Sequence, residues 1–277
     1  MFDPDPLSPE GASSLRERRD RSSLTITWSV WRALLLRESL TRLFSRRAAW
    51  FWLISEPLFH VSYMLALYSG MRAHKLGGVD TPIWLITGMS AFFLFRRVSS
   101  QGQNAIDANK ALFAYRQVKP VDTVVVRALL EGVLMLLVTV ALLAGAALFG
   151  HDVLPADALL ALGALLALWL IGLGWALITS VLCGLVKEVS NLIGFVMMPA
   201  FLLSGVFMPV SSVPQPYRDY LTFNPLLHGV EAVRLGFAPY YHAIPELSLV
   251  YVYQWALAMV ALGLALQVRY QERLMQE

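Results

Sequence analysis

Apolar residues along this chain gather into long runs, and the polar residues between them end each run and turn the chain. Six runs are long enough for a bilayer-crossing helix, which needs about 20 residues. They cover residues 48–70, 82–100, 121–149, 158–183, 189–208 and 247–268. The second is the weakest, because Arg96 and Arg97 cut it short. Pro57 in the first run and Pro199 in the fifth remove backbone donors and predict kinks. Residues 24–47 follow a different pattern. Trp28, Trp31, Leu34 and Leu35 share one helical face, and Arg32, Arg37, Arg42, Arg46 and Arg47 supply cations. That combination predicts an amphipathic helix lying in the membrane interface.

The stretch between the fifth and sixth runs, residues 209–246, is too polar to span and too apolar for a free loop. Pro209 stops the preceding helix, and Ser211, Ser212, Pro214 and Pro216 turn the chain. Asn224-Pro225 reads as a helix N-cap followed by proline at the first helical position. Leu226, Val230, Val233 and Phe237 then recur at helical spacing, with His228, Glu231 and Arg234 on another face. Gly236 and Pro239 supply the stop. The expectation is a re-entrant pair of short helices that dips into the membrane before the last crossing.

The loops set the orientation. Arginines crowd the N-terminal arm, and Arg96, Arg97, Lys110, Arg116 and Lys119 surround the second-to-third connection. Lys187 marks the fourth-to-fifth turn, and Arg269 and Arg273 follow the sixth run. Residues 150–157 contain no Lys or Arg, whereas Arg72 and Lys75 in the first outer loop dissent. The positive-inside rule therefore puts both termini in the cytoplasm and residues 209–246 outside. Residues 1–23, rich in proline and arginine, lack the apolar middle of a signal peptide and read as a disordered cytoplasmic arm. Residues 269–277 are left as a cytoplasmic tail.

Composition agrees with a membrane setting. Hydrophobic residues make up 57% of the chain and charged ones 15%, far from the balance of a soluble domain. The single cysteine, Cys183, excludes an internal disulfide framework and lies in an apolar run. No G-x-x-x-x-G-K-[ST] is present, so no ATP binds through a P-loop. His60, His74, His151, His228 and His242 show no paired metal-ligand spacing. An intramembrane serine protease would need its Ser in a glycine-flanked turn, and Ser204 follows Leu202-Leu203 instead.

Polar residues inside the runs say more. Trp52, Glu56, Phe59 and Tyr63 fall at i, i+4, i+7 and i+11, with His60 one turn beyond Glu56. A carboxylate at mid-bilayer costs about 2.5–3.5 kcal/mol, so Glu56 should face protein or water. Glu56 is either part of a substrate path or a structural residue paired with His60 or a neighbouring helix. Arg127 and Glu131, four apart, could pair along the third span. Gly163, Gly172 and Gly174 predict close helix packing in the fourth. The connection 101–119 has a helical pattern of its own. Ile106, Leu112 and Phe113 are its apolar residues, and Asn104, Asp107, Asn109 and Lys110 its polar ones. It reads either as a docking helix for a soluble subunit or as an ordinary capped loop.

The order of these elements resembles the membrane subunit of a type-2 ABC exporter. The run SGVFMPVSSVP followed by NPLLHGVEAVR, containing Ser204, Gly205, Pro209, Asn224, Pro225, His228, Glu231 and Arg234, is similar to the signature of the capsular polysaccharide branch, the KpsM/Wzm type. Glu56-Pro57-Leu58 also fits. The resemblance runs from about Trp28 to the end. It implies an all-α fold of six transmembrane helices and a non-catalytic permease working as a homodimer. It further implies two copies of a separate cytoplasmic ATPase subunit, which hold the ATP and Mg, this chain carrying no cofactor. The implied cargo is lipid-linked capsular polysaccharide, crossing a bacterial inner membrane toward a periplasmic export partner, with no nucleic acid involved. The same architecture could carry O-antigen, teichoic acid or a small hydrophobic drug, and a six-span channel or scaffold without an ATPase is the reading from another class. For a sugar path, ring faces and anion-binding groups are required, which nominates Trp52, Glu56, Phe59, His60, Tyr63, Arg96, Arg97, Phe195, Phe201 and Phe207. Coupling to the ATPase nominates Asn104, Asp107, Asn109, Lys110, Leu112 and Phe113.

Overall fold

A computed structural model describes residues 23–44, 49–70, 75–115 and 117–276. The N-terminal arm up to residue 22 and the side chains of Arg46, Arg47, Arg72, His74 and Arg116 lie outside the described residues. The described residues are mostly helical. Helix α1 (Ser23–Phe44) leads into α2 (Ala49–Gly70). A two-residue ladder, β1 (Lys75–Leu76) and β2 (Val79–Asp80), precedes α3 (Thr81–Gln103). The short α4 (Ala105–Ala108) and a 3-10 turn (Lys110–Ala114) connect to α5 (Pro120–Leu148) and α6 (Ala158–Leu185). Helices α7 (Val189–Leu203), α8 (Tyr217–Leu221), α9 (Pro225–Phe237) and α10 (Leu249–Gln276) complete the order.

Local chemistry sets the helix starts. Asp157 accepts from the Leu160 amide (2.9 Å) at the head of α6, and Asn224 accepts from the Leu226 amide (3.1 Å) at the head of α9. Proline opens α5 and α9, where a missing N–H is harmless. Helix α7 stops at Leu203, five residues before the end of its apolar run, because Ser204 and Gly205 turn the chain. Gly205 has φ +67°, and a Cβ there would stand 2.6 Å from Val210, so glycine is required by both backbone and space. Fifteen residues give α7 a length of only about 22 Å.

Helix α3 is the centre. Most of it from Thr81 to Phe95 is buried, packed by α2, α5, α6 and α9. Its hydroxyl residues Thr87, Ser90 and Ser99 are buried among helices. On α6, a Cβ at Gly172 would press on Val98 at 3.0 Å, and one at Gly174 would meet the α10 backbone at 2.8 Å. Gly163 has no such crowding, its nearest neighbour being 3.8 Å away, so close packing belongs to the other two. By length and composition, three of the described helices could cross a membrane: α5, α6 and α10 from Leu249 to Met275. Helix α7 is shorter but apolar.

The loops gather at two ends. At one, the His242 amide donates to the Gly77 carbonyl (3.0 Å), the Asp157 amide donates to the Gly236 carbonyl (2.9 Å), and His151 faces Asp80 at 3.7 Å. At the other, α1 and α4 pack on the start of α5.

Candidate functional site

Three constellations of functional side chains stand out, and the deepest is built on α9. Glu231 and Arg234 are one turn apart and exposed by no more than 1%. The Arg234 guanidinium donates to Glu231 Oε1 (3.1 Å) and to the carbonyls of Gly205 (2.7 Å) and Val206 (3.2 Å). Its Cζ lies 3.7 Å over the Trp84 ring. Gly88 makes room, since a Cβ there would strike the guanidinium at 2.1 Å. Tyr241 donates to Glu231 Oε1 at 2.7 Å. Asn224 reaches back to the Leu203 carbonyl (3.1 Å) and the Ser204 hydroxyl (3.2 Å). His228 takes the Ser248 amide on Nδ1 (3.3 Å), so Nε2 carries the proton that it gives to the Thr222 carbonyl (2.7 Å). The signature residues thus form one clasp that ties the α7–α8 turn, α9 and α3 together.

The second constellation is at the opposite end, and the sequence reading missed its logic. Glu38 on α1 takes both oxygens' worth of bonding from Arg127 Nη2 (2.8 Å each) and a further bond from Asn109 Nδ2 (3.0 Å). Asn109 in turn accepts from Arg37 at 2.7 Å. Arg42 pairs with the buried Glu131 (3.1 Å) and donates to Gln101. Trp31 Nε1 donates to Asp122 at 2.9 Å. Burial would push the Glu38 carboxyl up, but Arg127, Asn109 and Arg42 outweigh it and hold the group below the usual carboxylate range. The expected Arg127–Glu131 pair along α5 is therefore not formed, because each reaches a stronger partner on α1. Arg37 and Arg42 are latch residues here, not free anchors for lipid headgroups.

This changes the reading of the 101–119 connection. Asn109 is buried within the latch. Leu112 packs with Val30, Leu34 and Val126, and Phe113 packs against the main core. A charge at either position would disturb the chain's own packing as well as any docking. Asn104, Asp107 and Tyr115 are exposed, and Lys110 reaches Asp107 at 3.0 Å on the same outward face.

The third constellation is a groove between α2, α3 and α7. Trp52, Phe59 and Tyr63 are 68%, 70% and 56% exposed, so the stripe read from the spacing does present one open face. Glu56 lies opposite Arg96 (3.8 Å) and Arg97 (3.5 Å). His60 does not pair with the Glu56 carboxylate. Its Nδ1 meets the Glu56 carbonyl at 2.9 Å, and its ring stands edge-on to Phe93 at 5.4 Å. A cavity of about 280 Å³ between His60, Phe93, Arg96 and Phe201 continues the groove toward α7. Phe201 stacks on Phe93 (6.5 Å, 12°), and Phe207 sits beside Tyr68, whose hydroxyl donates to its carbonyl. Phe195 is open on α7 at 77% exposure, so of the three α7-side aromatics only it resembles the α2 stripe.

Sequence comparisons give this geometry a context. Residues 29–238 match the family model described as ABC-2 type transporter. The polysialic acid transport protein KpsM of Escherichia coli is 32% identical over 249 residues, 89% of this chain and 95% of that protein. The capsule polysaccharide export inner-membrane protein CtrC of Neisseria meningitidis serogroup A is 32% identical over 223 residues, 78% of this chain and 81% of that one. BexB of Haemophilus influenzae, which bears the same description, is 27% identical over 225 residues, 78% and 82% of the two chains. The matched segment takes in the latch, the groove and, but for Tyr241 and Ser248, the clasp, and the chain belongs to the ABC-2 type transporter membrane family.

Proposed function

We propose that this chain is the transmembrane subunit of an ATP-driven exporter that carries lipid-linked capsular polysaccharide across the bacterial inner membrane. The observation that carries the reading is the similarity to capsule-export and polysialic-acid transport proteins over 78–89% of this chain. The groove supports it: a long hydrophilic polymer needs ring faces and hydrogen bonds in place of lipid, and α2 offers an open aromatic stripe beside two arginines. Two copies of the chain, set with α2 and α7 facing each other, enclose the path. ATP and Mg belong to a separate ATPase, two copies of which dock on the face that carries Asp107, Lys110 and Tyr115. Six spans, α2, α3, α5, α6, α7 and α10, cross the membrane, the last placing the C-terminus in the cytoplasm beside α1. The region 209–246 then lies outside as a re-entrant pair and meets the periplasmic export partner.

Two measurements test this. In a capsule-export-deficient cell carrying the cognate ATPase, the wild-type chain restores surface polysaccharide. Trp52→Ala, Phe59→Ala and Tyr63→Ala each lower it severalfold, with membrane abundance unchanged. Equal loss of protein and polysaccharide would reduce the stripe to packing. For topology, cysteines at the exposed positions Ser212 and Asp107 are expected to label from opposite sides of the membrane. Labelling from one side would overturn the six-span arrangement.

A further inference from the structure

The polar mouth of the groove holds an arrangement that packing does not explain. Arg96 and Arg97 are consecutive on α3, yet both face one carboxylate, Glu56. The N···O separations of 3.8 and 3.5 Å are within ion-pair range but beyond hydrogen-bond length. Neither guanidinium makes a hydrogen bond to any described residue. Arg96 instead lies 5.8 Å from the centre of the Phe93 ring. The carboxylate is half-exposed, and the three charges line a cavity of about 130 Å³, closed on the other sides by Pro57, Phe93, Ser100 and Gln101. Compare the latch, where Arg127 meets Glu38 at 2.8 Å on both oxygens with the pair buried. The pair at the groove mouth is longer and its carboxylate half-exposed, with two guanidinium groups for one carboxylate.

We propose that this cavity is a phosphate-binding site in which Glu56 is a weak internal stand-in for the phosphate oxygens of a ligand. The inference rests on the export reading only for the identity of the cargo. Two guanidinium groups offer ten N–H donors in planar forks, a match for the several oxygens of a phosphate and more than one carboxylate can use. A phosphate entering from the groove bonds both arginines and repels Glu56, which swings toward the open face. The ring of Phe93 behind Arg96 keeps that guanidinium oriented for the incoming oxygens. Two sources share this chemistry: the phosphate of an amphipathic lipid anchor, and a free phosphate from solution. The cavity opens onto the Phe93, Met197, Met198 and Phe201 walls of the larger neighbouring hollow, which suit an acyl or ring-bearing tail.

The expected signs of substitution are opposite, and this separates the proposal from a structural ion pair. The test uses the full-length protein in phosphatidylcholine nanodiscs, with dioctanoyl phosphatidic acid as the probe and dioctanoyl phosphatidylcholine as the control. Retained probe is measured by native mass spectrometry. Arg96→Gln with Arg97→Gln is expected to weaken phosphatidic acid binding by about tenfold or more, and Glu56→Gln to strengthen it by about tenfold. Unchanged or weaker binding in Glu56→Gln, or equal binding of phosphatidylcholine, would overturn the site. Because the two arms must move apart, a variant that merely misfolds cannot imitate the result. Inorganic phosphate added to millimolar levels distinguishes the sources: displacement of the probe means that the phosphate alone is recognised, and no displacement means a lipid-borne phosphate. Opposite shifts in a protein that moves no polysaccharide would remove the export reading and keep the site. Lost export with unshifted binding would do the reverse.

Discussion

Arg234→Ala is expected to stop the protein accumulating in the membrane. The guanidinium holds Glu231, the Gly205 and Val206 carbonyls and the Trp84 ring at once, and all of this is inaccessible to water. Truncating one partner of a buried pair leaves an uncompensated charge, which costs about 3–5 kcal/mol. That is a large share of the stability of an ordinary domain, about 5–15 kcal/mol. Alanine would also leave two carbonyls of the Gly205–Val206 turn without their donor, and the turn holds α7 to α9. Glu231→Gln is expected to do less harm. The amide oxygen can still accept from Tyr241 and Arg234, and the remaining cation keeps its carbonyls and its ring. Membrane yield and thermal unfolding in detergent measure both. The order expected is wild type, then Glu231→Gln, then Arg234→Ala, and an Arg234→Ala protein with unaltered unfolding would sink the clasp as a structural unit.

The clasp shows how far sequence reading reached. The cap at Asn224, the proline after it and the stop before Pro239 are local signals, and each appears in the structure where the pattern put it; Gly236 lies inside the helix and is small because Ala161 packs against it. The polar face of α9 was visible as His228, Glu231 and Arg234, but its burial was not. Helical periodicity reports which residues share a face, not which element stands opposite, and Trp84 stands 150 residues away from Arg234. The same limit explains the Arg127–Glu131 misreading. Spacing of four advertises a local pair, whereas the true partners, Glu38 and Arg42, lie on α1, some 89 residues earlier. Helix α3 read as the weakest span because Arg96 and Arg97 cut its apolar run short, and the structure gives both arginines a partner in Glu56 on a helix with protein on nearly every side. The shared exposure of Trp52, Phe59 and Tyr63 follows from their spacing on one helix, but Phe51, Leu58 and Leu67 are open as well, which the spacing did not separate. Leu112 and Phe113 were legible as apolar but not as inward, since a short loop gives periodicity no room to declare a face.

Glu38→Gln is expected to release α1 from the bundle and to abolish export while the spans stay folded. Glu38 is the hub of the latch: Arg127 and Asn109 bond to it directly, and Asn109 passes the connection on to Arg37. Both members of the Glu38–Arg127 pair are about nine-tenths buried, so neutralising one leaves the other short of its counter-charge, and an amide there offers Arg127 one accepting oxygen in place of two. The loss is confined to α1, because α3, α5 and α6 are held by their own apolar core. If an ATPase pushes on Asp107, Lys110 and Tyr115, the buried Asn109 hands that motion to α1 and α5 together, and a broken hub lets the connection move alone. Spin labels at Arg32→Cys and Asp107→Cys would report it as a broadened distance distribution in the Glu38→Gln protein. The reversed pair, Glu38→Arg with Arg127→Glu, should narrow the distribution again. Acid should mimic the substitution, and the sign follows from the lowered carboxyl. A group whose folded pKa lies below its unfolded value of about 4.3 contributes full stability above that value. The contribution is lost only as pH falls through the lower, folded pKa. The latch should therefore hold unchanged from neutral pH down to the ordinary carboxylate range, open only in acid below that range, and show no acid step in Glu38→Gln. A distance that stays narrow in Glu38→Gln, with export intact, would mean that α1 is held by Val30, Leu34 and Trp31 alone.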